Sequence, residues 1–383
     1  MRIEAADLEV REAVWDQPGW PWENRNTNPM DAYEDSAFQE PKAAVGRRTV
    51  RQTFVRIRAE GITARYGPID SYAAAVAQDA LLPWLVGQDA SRIVELNDRM
   101  QRLSRHGRSG LFMTAVAAVD LCLWQLKGQA VGEPLYRLLG GPCRDAVPAY
   151  ASMLGFSIEP ERAAQRAGEA KAQGYPAQKW FFRYGPAHGN EGFRRNLEMA
   201  RAVRRAVGEG YRLMFDAFCA WTGPYATQMC QALEEVSPFW VEEPLPPEDL
   251  ASWERLRRST RVPLAAGEHL HSRRTLLPFL REGLLDVLQC DPEWAGGVTE
   301  MQAILHTAGA FGVPVYPHGH TLLPAIHLAA SHPPSVLPMV EHLLNIQPER
   351  YALFAEPPKD EGGRFALPTK PGLGVELVGS AEA

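Results

Sequence analysis

Three acidic residues, each placed after a short apolar run, constrain the fold of this chain more than any other feature. Asp216, Glu242 and Glu268 follow the runs 211–215, 239–241 and 263–267, and successive acids lie 26 residues apart. A strand, a crossover helix and the next parallel strand together occupy roughly 30 residues. The equal spacing therefore predicts that the three carboxylates lie at equivalent ends of adjacent parallel strands and point into one cavity.

Carboxylates that converge in this way favour a metal site. They repel one another unless a cation lies between them, and an all-oxygen set of ligands favours Mg²⁺ over zinc. One acid after a strand is usually a helix N-cap. Three in register, with two more polar strand ends after them, are better explained by Mg²⁺ bound to Asp216, Glu242 and Glu268.

From residue 147 onward, short strands alternate with amphipathic helices. Eight strands are predicted at 147–151, 178–182, 211–215, 239–241, 263–266, 286–290, 313–316 and 338–340. Eight such strands without a long interruption favour a closed barrel over an open doubly wound sheet. No GxGxxG or Walker loop follows any of these strands, which weakens the open-sheet nucleotide-binding alternative. The predicted fold class is α/β, a (β/α)7β TIM-like barrel.

The first part of the chain has a different pattern. Residues 49–59 alternate between apolar and polar, and 62–66 return as a hairpin partner after a turn at Glu60 and Gly61. Helical patterns follow at 71–86, 90–103 and 111–127. We predict an α+β capping domain over 1–142, the barrel over 143–345, and a non-helical C-terminal tail over 346–383 that packs back on the capping domain.

Composition limits the classes of function. The net charge of −6 argues against a nucleic-acid binder, and the chain shows no apolar run of 18 residues that would predict a membrane span. The first seven residues lack the apolar core of a signal peptide. Five scattered cysteines without a CxxC pattern predict free, buried thiols in a reducing cytoplasm.

The active site of a barrel forms at the C-terminal ends of its strands. Beyond the three acids, the predicted strand ends contribute Lys179, Asp291, His318 and Glu341. An Asp and a His on adjacent strands suit a dyad in which the carboxylate orients the imidazole and makes it a better base. His269 and His320 follow strand ends closely, and each is either a substrate contact or a loop residue.

A loop rich in indoles and amides, residues 20–29, precedes the first hairpin. It is either a lid over a polar ligand or a loop packed on its own domain. As a lid it would offer Trp22, Asn24 and Arg25 as substrate-binding candidates.

Together these patterns resemble the enolase superfamily, mandelate racemase subgroup, over almost the whole chain. The motifs are AVAAVDLCLWQL at 115–126, LLGG at 138–141, WVEEP at 240–244, GEH at 267–269, DPEWAGGV at 291–298, PHG at 317–319 and GVEL at 374–377. They are most similar to those of the rhamnonate dehydratase branch of acid-sugar dehydratases.

The resemblance implies a Mg²⁺-dependent dehydratase of a sugar acid that yields a 2-keto-3-deoxy acid, acting as a homo-oligomer. Mg²⁺ would bind the predicted triad and the substrate carboxylate, and His318 paired with Asp291 would be the base. Glu341 would donate a hydrogen bond to the substrate carboxylate, which requires a raised pKa.

One departure bears on the type of reaction. Family members with a base on each face of the substrate carry Lys-x-Lys at the end of strand two, whereas this chain has Lys179-Trp180-Phe181. A two-base racemase or epimerase is therefore disfavoured, since its second base would have to come from elsewhere. Lys179 either contacts the substrate or the metal-bound carboxylate, or it is a strand-end charge. A non-catalytic sugar-acid-binding protein would be favoured if a predicted ligand or dyad residue were missing, and none is.

Overall fold

The computed structural model describes residues 1–16, 22–33 and 47–379, which form two β-sheets with helices packed around them. The first sheet contains β1 (Ile3–Asp16), β2 (Arg47–Ala59) and β3 (Ile62–Ile69). The second contains β4 (Ala146–Ser152), β5 (Ala177–Phe181), β6 (Arg212–Asp216), β7 (Trp240–Glu242), β8 (Leu264–Ala266), β9 (Val287–Leu288), β10 (Val340–Leu343) and β11 (Arg364–Ala366).

The helices lie between and after these strands. They are α1 (Ser71–Val76), α2 (Leu82–Leu85), α3 (Ile93–Leu103), α4 (Gly110–Val131), α5 (Leu135–Leu138), α6 (Pro160–Ala172), α7 (Gly189–Val207), α8 (Gly223–Leu233), α9 (Leu250–Ser259), α10 (Arg273–Arg281), α11 (Gly297–Ala310), α12 (Leu322–Ser331) and α13 (Gln347–Arg350). A π-helical turn, Ala77–Leu81, joins α1 to α2, and short 3₁₀ turns occur at Pro29–Ala32, Pro186–His188 and Glu234–Val236.

Strands β1, β2 and β3 form an antiparallel sheet that, with α1 to α5, makes the cap. Its alternating pattern is explained by its two faces. One face packs its apolar side chains against α4, whereas the other carries ion pairs such as Arg56 with Asp7 and Arg65 with Glu9. A half-buried antiparallel sheet favours this alternation.

Helix α4 bears on the expectation of no membrane span, since a candidate span is a helix that is long and apolar enough to cross a membrane. Among the described residues it is the helix that meets this criterion by length and composition, and 67% of its most apolar stretch is buried within the protein. It contacts β3 on one side and α11 of the barrel on the other. A helix buried on both sides becomes apolar around its whole circumference, as in the core of a large protein.

The second sheet is parallel in the order β10-β4-β5-β6-β7-β8-β9, with β11 antiparallel to β4 at its margin. This curled sheet with an antiparallel cap confirms the predicted fold class. The predicted strand at 313–316 is reduced to a single bridge between Leu288 and Val315, because the flanking Pro314 and Pro317 have no N–H with which to extend a ladder. The predicted strand at 338–340 begins only at Val340.

The register of the sheet places the acids together. Asp216 and Glu242 end β6 and β7 and are directly paired partners. Glu268 follows β8 after Gly267, whose φ of +144° is a backbone conformation that favours glycine. A Cβ at Gly267 would lie 2.8 Å from the backbone nitrogen of Gln289, so the glycine lets the chain turn closely against the next strand.

The C-terminal segment contacts both the cap and the barrel. Strand β11 pairs with β4 through Phe365 and Val147, so it extends the barrel sheet. Further along, the N–H of Leu135 donates to the carbonyl of Gly372, which joins the segment to the cap. The two predicted domain boundaries, after residues 142 and 345, stay a prediction.

The cysteines are free, as predicted, but not all are buried. Cys122, Cys230 and Cys290 are buried, Cys219 is half-buried and Cys143 is exposed. The prediction of buried thiols is therefore wrong for Cys143.

The contact between α4 and the C-terminal segment can be tested with two glycines. A Cβ at Gly128 would lie 2.2 Å from the backbone of Gly372, whereas a Cβ at Gly168 in α6 would meet open space. We expect Gly128→Ala to lower the free energy of unfolding by about 1–3 kcal/mol through overpacking. Gly168→Ala should instead raise it by about 0.4–1 kcal/mol, because alanine restricts the unfolded chain. Thermal and urea denaturation check both, and an unchanged or raised midpoint for Gly128→Ala would contradict the close approach.

Candidate active site

The three predicted metal-binding carboxylates lie buried at the C-terminal end of the barrel. Asp216, Glu242 and Glu268 are 4%, 0% and 8% exposed. Burial raises the pKa of Asp216 to about 6 and that of Glu268 to about 7, and nearby carboxylates add to both shifts. The pKa of Glu242 is also well above its usual value, first because of burial and then because of Asp216. The site therefore concentrates negative charge at a cost in free energy.

Lys179 at the end of β5 lies among these acids. Its Nζ is 2.5 Å from Glu242 Oε1, 2.9 Å from Glu341 Oε1 and 3.1 Å from Asp216 Oδ2. Burial would lower the pKa of this ammonium, but the three carboxylates outweigh it and raise the pKa well above its usual value. Lys179 is therefore a fixed positive charge inside the site.

The donor set fits a hard divalent cation. Glu268 forms no hydrogen bond with the described residues, and its nearest cationic partners are His318 Nε2 at 3.5 Å and His269 Nδ1 at 3.7 Å. Asp216 uses Oδ1 to accept the N–H of Phe218 and meets Lys179 with Oδ2. The three buried carboxylates are only partly neutralised by Lys179, and carboxylate oxygens are the ligands that Mg²⁺ takes. Both oxygens of Glu242 also accept hydrogen bonds from protein groups: Oε1 from Lys179, and Oε2 from Trp240 and Gln289.

His318 and Asp291 form the predicted dyad. His318 Nδ1 lies 2.7 Å from Asp291 Oδ2, and the carboxylate also accepts the backbone N–H groups of His320 at 3.2 Å and Glu293 at 2.7 Å. Burial lowers the pKa of His318, but Glu268 and Asp291 outweigh it and raise the pKa to about 10. The Trp294 ring lies 4.7 Å from the His318 ring. The imidazole is thus fixed in orientation, and Nε2 is the nitrogen left for chemistry.

The pKa of Glu341 is shifted in the direction opposite to the one expected. Burial alone would raise its pKa, but Lys179 and His318 outweigh it, and the pKa of Glu341 lies below its usual value. Its Oε2 accepts the backbone N–H of Gly319 at 3.0 Å. The expectation of a protonated Glu341 is wrong for this structure, because a buried ammonium lies against its carboxylate.

His269 belongs to a second histidine–carboxylate pair that sequence reasoning missed. Its Nδ1 lies 2.8 Å from Glu243 Oε2, which also accepts from the thiol of Cys219 at 3.1 Å. Burial lowers the pKa of His269, but Glu243 outweighs it and raises the pKa to about 9. His269 is therefore a cation at neutral pH. The Glu-Glu pair at 242–243 was the available signal, because Glu243 directly follows the carboxylate that ends β7.

His320 lies beside the dyad, but both of its ring nitrogens contact protein groups. Nδ1 is 2.7 Å from Glu293 Oε2, and Nε2 is 3.0 Å from a guanidinium nitrogen of Arg350. Tyr66 of β3 donates to Glu293 Oε1 at 2.6 Å. Sequence reasoning missed Glu293, Arg350 and Tyr66. The position of Glu293, two residues after Asp291, was the only signal for any of them.

The described part of the predicted lid docks on the barrel. The backbone N–H groups of Glu23 and Asn24 donate to the carbonyl of Gly155 at 2.7 and 3.2 Å. The Trp22 side chain packs in an apolar cluster whose other members are Leu154, Phe181, Phe218, Leu343 and Ile346. Arg25 pairs with Asp31 at 2.6 Å. The first two residues of the predicted lid, 20 and 21, lie outside the described residues.

Two family models match this chain. Residues 38–140 match the mandelate racemase / muconate lactonizing enzyme N-terminal domain, and residues 162–381 match the enolase C-terminal domain-like family. The L-rhamnonate dehydratase of Saccharopolyspora erythraea is 33% identical over 362 residues, covering 91% of this chain and 88% of the relative.

Solved structures agree with these matches. Rhamnonate dehydratase from Gibberella zeae, in complex with Mg, superposes with a TM-score of 0.82 at 26% identity, covering 99% of this chain and 94% of that one. A racemase from Streptomyces coelicolor A3(2) with bound magnesium gives a TM-score of 0.78 at 26% identity, covering 98% and 97%.

The capped barrel with acids at its strand ends therefore defines a class, and the chain belongs to the enolase superfamily. Within it the chain lies in the rhamnonate dehydratase branch and is an enzyme of the hydro-lyase class. The resemblance seen in the sequence motifs is confirmed.

The raised pKa values of the acids predict how Mg²⁺ binding depends on pH. In the metal-free protein, protons occupy Asp216 below about pH 6 and Glu268 below about pH 7. Because a ligand must be ionised to bind, Mg²⁺ has to displace these protons. We expect the affinity to fall as the pH is lowered from about 8 to about 5.5, with protons released on binding, as measured by titration calorimetry in buffers of different ionisation enthalpy.

Two variants complete that experiment. Glu268→Gln should lose Mg²⁺ binding, whereas Glu300→Gln is the matched control, because Glu300 is a buried acid paired with Arg273. An affinity that does not change with pH, or binding that survives Glu268→Gln, would rule out the triad.

The docked loop gives a separate prediction. Trp22→Ala removes the indole that packs against Phe181 beside the site, so we expect a raised KM or a changed preference among substrates. Trp15→Ala is the control, since Trp15 lies on β1 of the cap, where Arg48 covers its ring. Steady-state kinetics across a substrate panel provide the measurement. Equal kinetics for Trp22→Ala and wild type would limit the loop to packing.

Proposed function

We propose that the protein is a Mg²⁺-dependent dehydratase of a sugar acid, removing the proton α to the carboxylate and eliminating the β-hydroxyl to give a 2-keto-3-deoxy acid. The matched relatives named rhamnonate dehydratase support the reaction class and the kind of substrate. The observation that carries the proposal is the pair of half-buried His318 and buried Asp291 beside three carboxylates able to hold a cation.

His318 is the proposed base. With Nδ1 held by Asp291, its Nε2 is the atom that accepts the α-proton. The Asp291 carboxylate, itself held by two backbone N–H groups, then stabilises the imidazolium. The ring cannot rotate away, so the proton stays on the face of the substrate from which it came.

Positive charge is needed where the substrate becomes negative. Mg²⁺ bound by Asp216, Glu242 and Glu268 would supply it against the substrate carboxylate as the α-proton leaves. Lys179 adds a permanent ammonium in the same cavity, 2.9 Å from Glu341. Such fixed charges stabilise a transition state without reorganising during the reaction.

The apolar side chain of Phe181 favours a mechanism in which one histidine makes both proton transfers. Its ring lies 5.2 Å from Lys179 Nζ and 5.7 Å from the Phe218 ring, an apolar surface where two-base relatives carry a second lysine. After accepting the α-proton, His318 can return it to the hydroxyl that leaves from the same face. The elimination is then syn.

The test is a screen of aldonates, uronates and aldarates with Mg²⁺, with detection of 2-keto acids and of the loss of one water by mass. His318→Asn removes base and acid together, so we expect a loss greater than the roughly 10²–10⁴-fold of one acid–base step. His306→Asn is the matched control, because His306 is an exposed residue of α11. In D₂O, wild-type α-proton exchange by His318→Asn would show that another residue is the base. A panel without any turnover would overturn the proposed function.

A further inference from the structure

One helical turn after the barrel holds the loop that carries the proposed base. We call residues Gln347–Tyr351 the clamp. Gln347 Nε2 donates to the carbonyl of Gly319 at 2.6 Å, and Tyr351 Oη accepts the N–H groups of Leu322 and Leu323 at 2.8 and 3.2 Å.

Arg350, which lies between Gln347 and Tyr351 in the clamp, contacts the same loop with its guanidinium. It donates to Thr321 Oγ1 at 3.2 Å, to the His320 ring at 3.0 Å and to Glu293 Oε2 at 3.0 Å. The clamp therefore contacts every residue from 319 to 323. Loops are normally the mobile part of a barrel face, so such dense bonding indicates that position matters here.

The contacts of His320 fix its protonation state. Nδ1 faces Glu293 Oε2, and that carboxylate also accepts from Tyr66 and Arg350, so it is an ionised acceptor and Nδ1 must carry a proton. Nε2 faces a guanidinium N–H, which can only donate, so Nε2 must present its lone pair. Asp70 Oδ2, 3.9 Å from Nε2, is too distant to accept a hydrogen bond from it.

The ring in turn fixes the backbone of its own residue. The N–H of His320 donates to Asp291 Oδ2, the same oxygen that holds His318 Nδ1. Glu293 also bonds the other oxygen, because its backbone N–H donates to Asp291 Oδ1. Arg350, Glu293 and His320 therefore act on the carboxylate that orients the base.

The clamp also joins this loop to the cap. Arg350 donates to the carbonyl of Pro68 at 2.7 Å, and Gln52 Nε2 donates to the carbonyls of Glu349 and Arg350 at 2.8 and 3.2 Å. Arg48 forms an ion pair with Glu349. The cap, the clamp and the catalytic loop form one connected polar network.

We propose that Arg350 is a positioning residue that holds His320 as a neutral, Nδ1-protonated imidazole outside proton transfer, and thereby sets the geometry of the His318–Asp291 pair. The expected effect of Arg350 on kinetics rests on the proposed function. The protonation state of His320 is independent of the proposed function. His320 is then a support for the base and not a substrate contact.

The first experiment needs no substrate. Long-range ¹H–¹⁵N spectra of the full chain labelled in histidine, with His320→Asn for assignment, report which ring nitrogens carry protons. We expect His320 to show a protonated Nδ1 and an unprotonated Nε2 at neutral pH. A doubly protonated ring, or a proton on Nε2, would overturn the proposal, whether or not any sugar acid is turned over.

The second experiment compares two half-buried arginines, Arg350 and Arg144. We expect Arg350→Met to lower kcat by about 10- to 100-fold, as is typical of residues that orient a catalytic group, with KM changed far less. Arg350→Lys keeps the charge and should recover part of the loss. Arg144→Met is the matched control, because within the described part of the chain Arg144 donates to the backbone carbonyls of His332, Leu337 and Pro338 and not to the catalytic loop.

A third readout separates positioning from stability. The proton on His318 Nδ1, in its hydrogen bond to Asp291, should shift or exchange faster in Arg350→Met and Arg350→Lys but not in Arg144→Met. If folded Arg350→Met and Arg350→Lys keep the wild-type signal and kcat, the clamp is structural only. If neither wild type nor variants turn over any sugar acid, the proposed function fails. The two spectroscopic results still test whether the clamp positions His320 and the His318–Asp291 pair.

Discussion

The balance of buried charge around Lys179 is the constraint on which the rest of this structure depends. One ammonium lies within 3.1 Å of three carboxylates, and Glu268 stands nearby without a hydrogen bond from the described residues. Such a group of charges costs several kcal/mol per ion to remove from water unless its partners are held in place. Removing Lys179 alone would leave acids facing one another, and removing the acids would leave a buried cation. Counted as ionised, the four carboxylates exceed the one ammonium by three charges, so the site keeps an excess of negative charge that a divalent cation would offset in part.

The barrel below the acids provides the rigidity that this charge balance requires. Its interior is filled by Tyr150, Met214, Trp240 and Tyr316, and the indole N–H of Trp240 donates to Glu242 at 3.1 Å. Above this layer the backbone is strained, with positive φ at Phe218, Cys219 and Glu243. Residues in such conformations persist only where the surrounding structure determines them, and they cluster at functional sites. Here they lie beside the carboxylates, where they place His269 and Glu243 next to the triad.

Sequence reasoning predicted which side chains lie close together where one side chain follows one recognisable strand. Asp216, Glu242, Asp291 and His318 were found because an apolar run ends just before each, and parallel strands bring such ends together. Arg350 could not be found in this way, because its partners His320, Glu293 and Pro68 come from the barrel and the cap, and their approach depends on how the C-terminal segment folds back. The strand at 313–316 was overestimated because its apolar residues hid the effect of two prolines on the ladder. The pKa of Glu341 was misjudged because Lys179 lies closer to it than a strand-end position reveals.

The same charges link the base to the metal site. Burial would lower the pKa of His318, but Glu268, whose Oε2 lies 3.5 Å from Nε2, is the first of the groups that raise it, to about 10, so an ionised Glu268 favours the imidazolium. Positive charge placed on Glu268 would cancel this attraction and lower the pKa of His318 towards neutrality. Asp291 would still orient the ring, because its hydrogen bond to Nδ1 does not involve Glu268. A histidine that is protonated in the metal-free protein would thereby become a base when its neighbour is neutralised, which couples proton abstraction to the occupancy of the adjacent carboxylates.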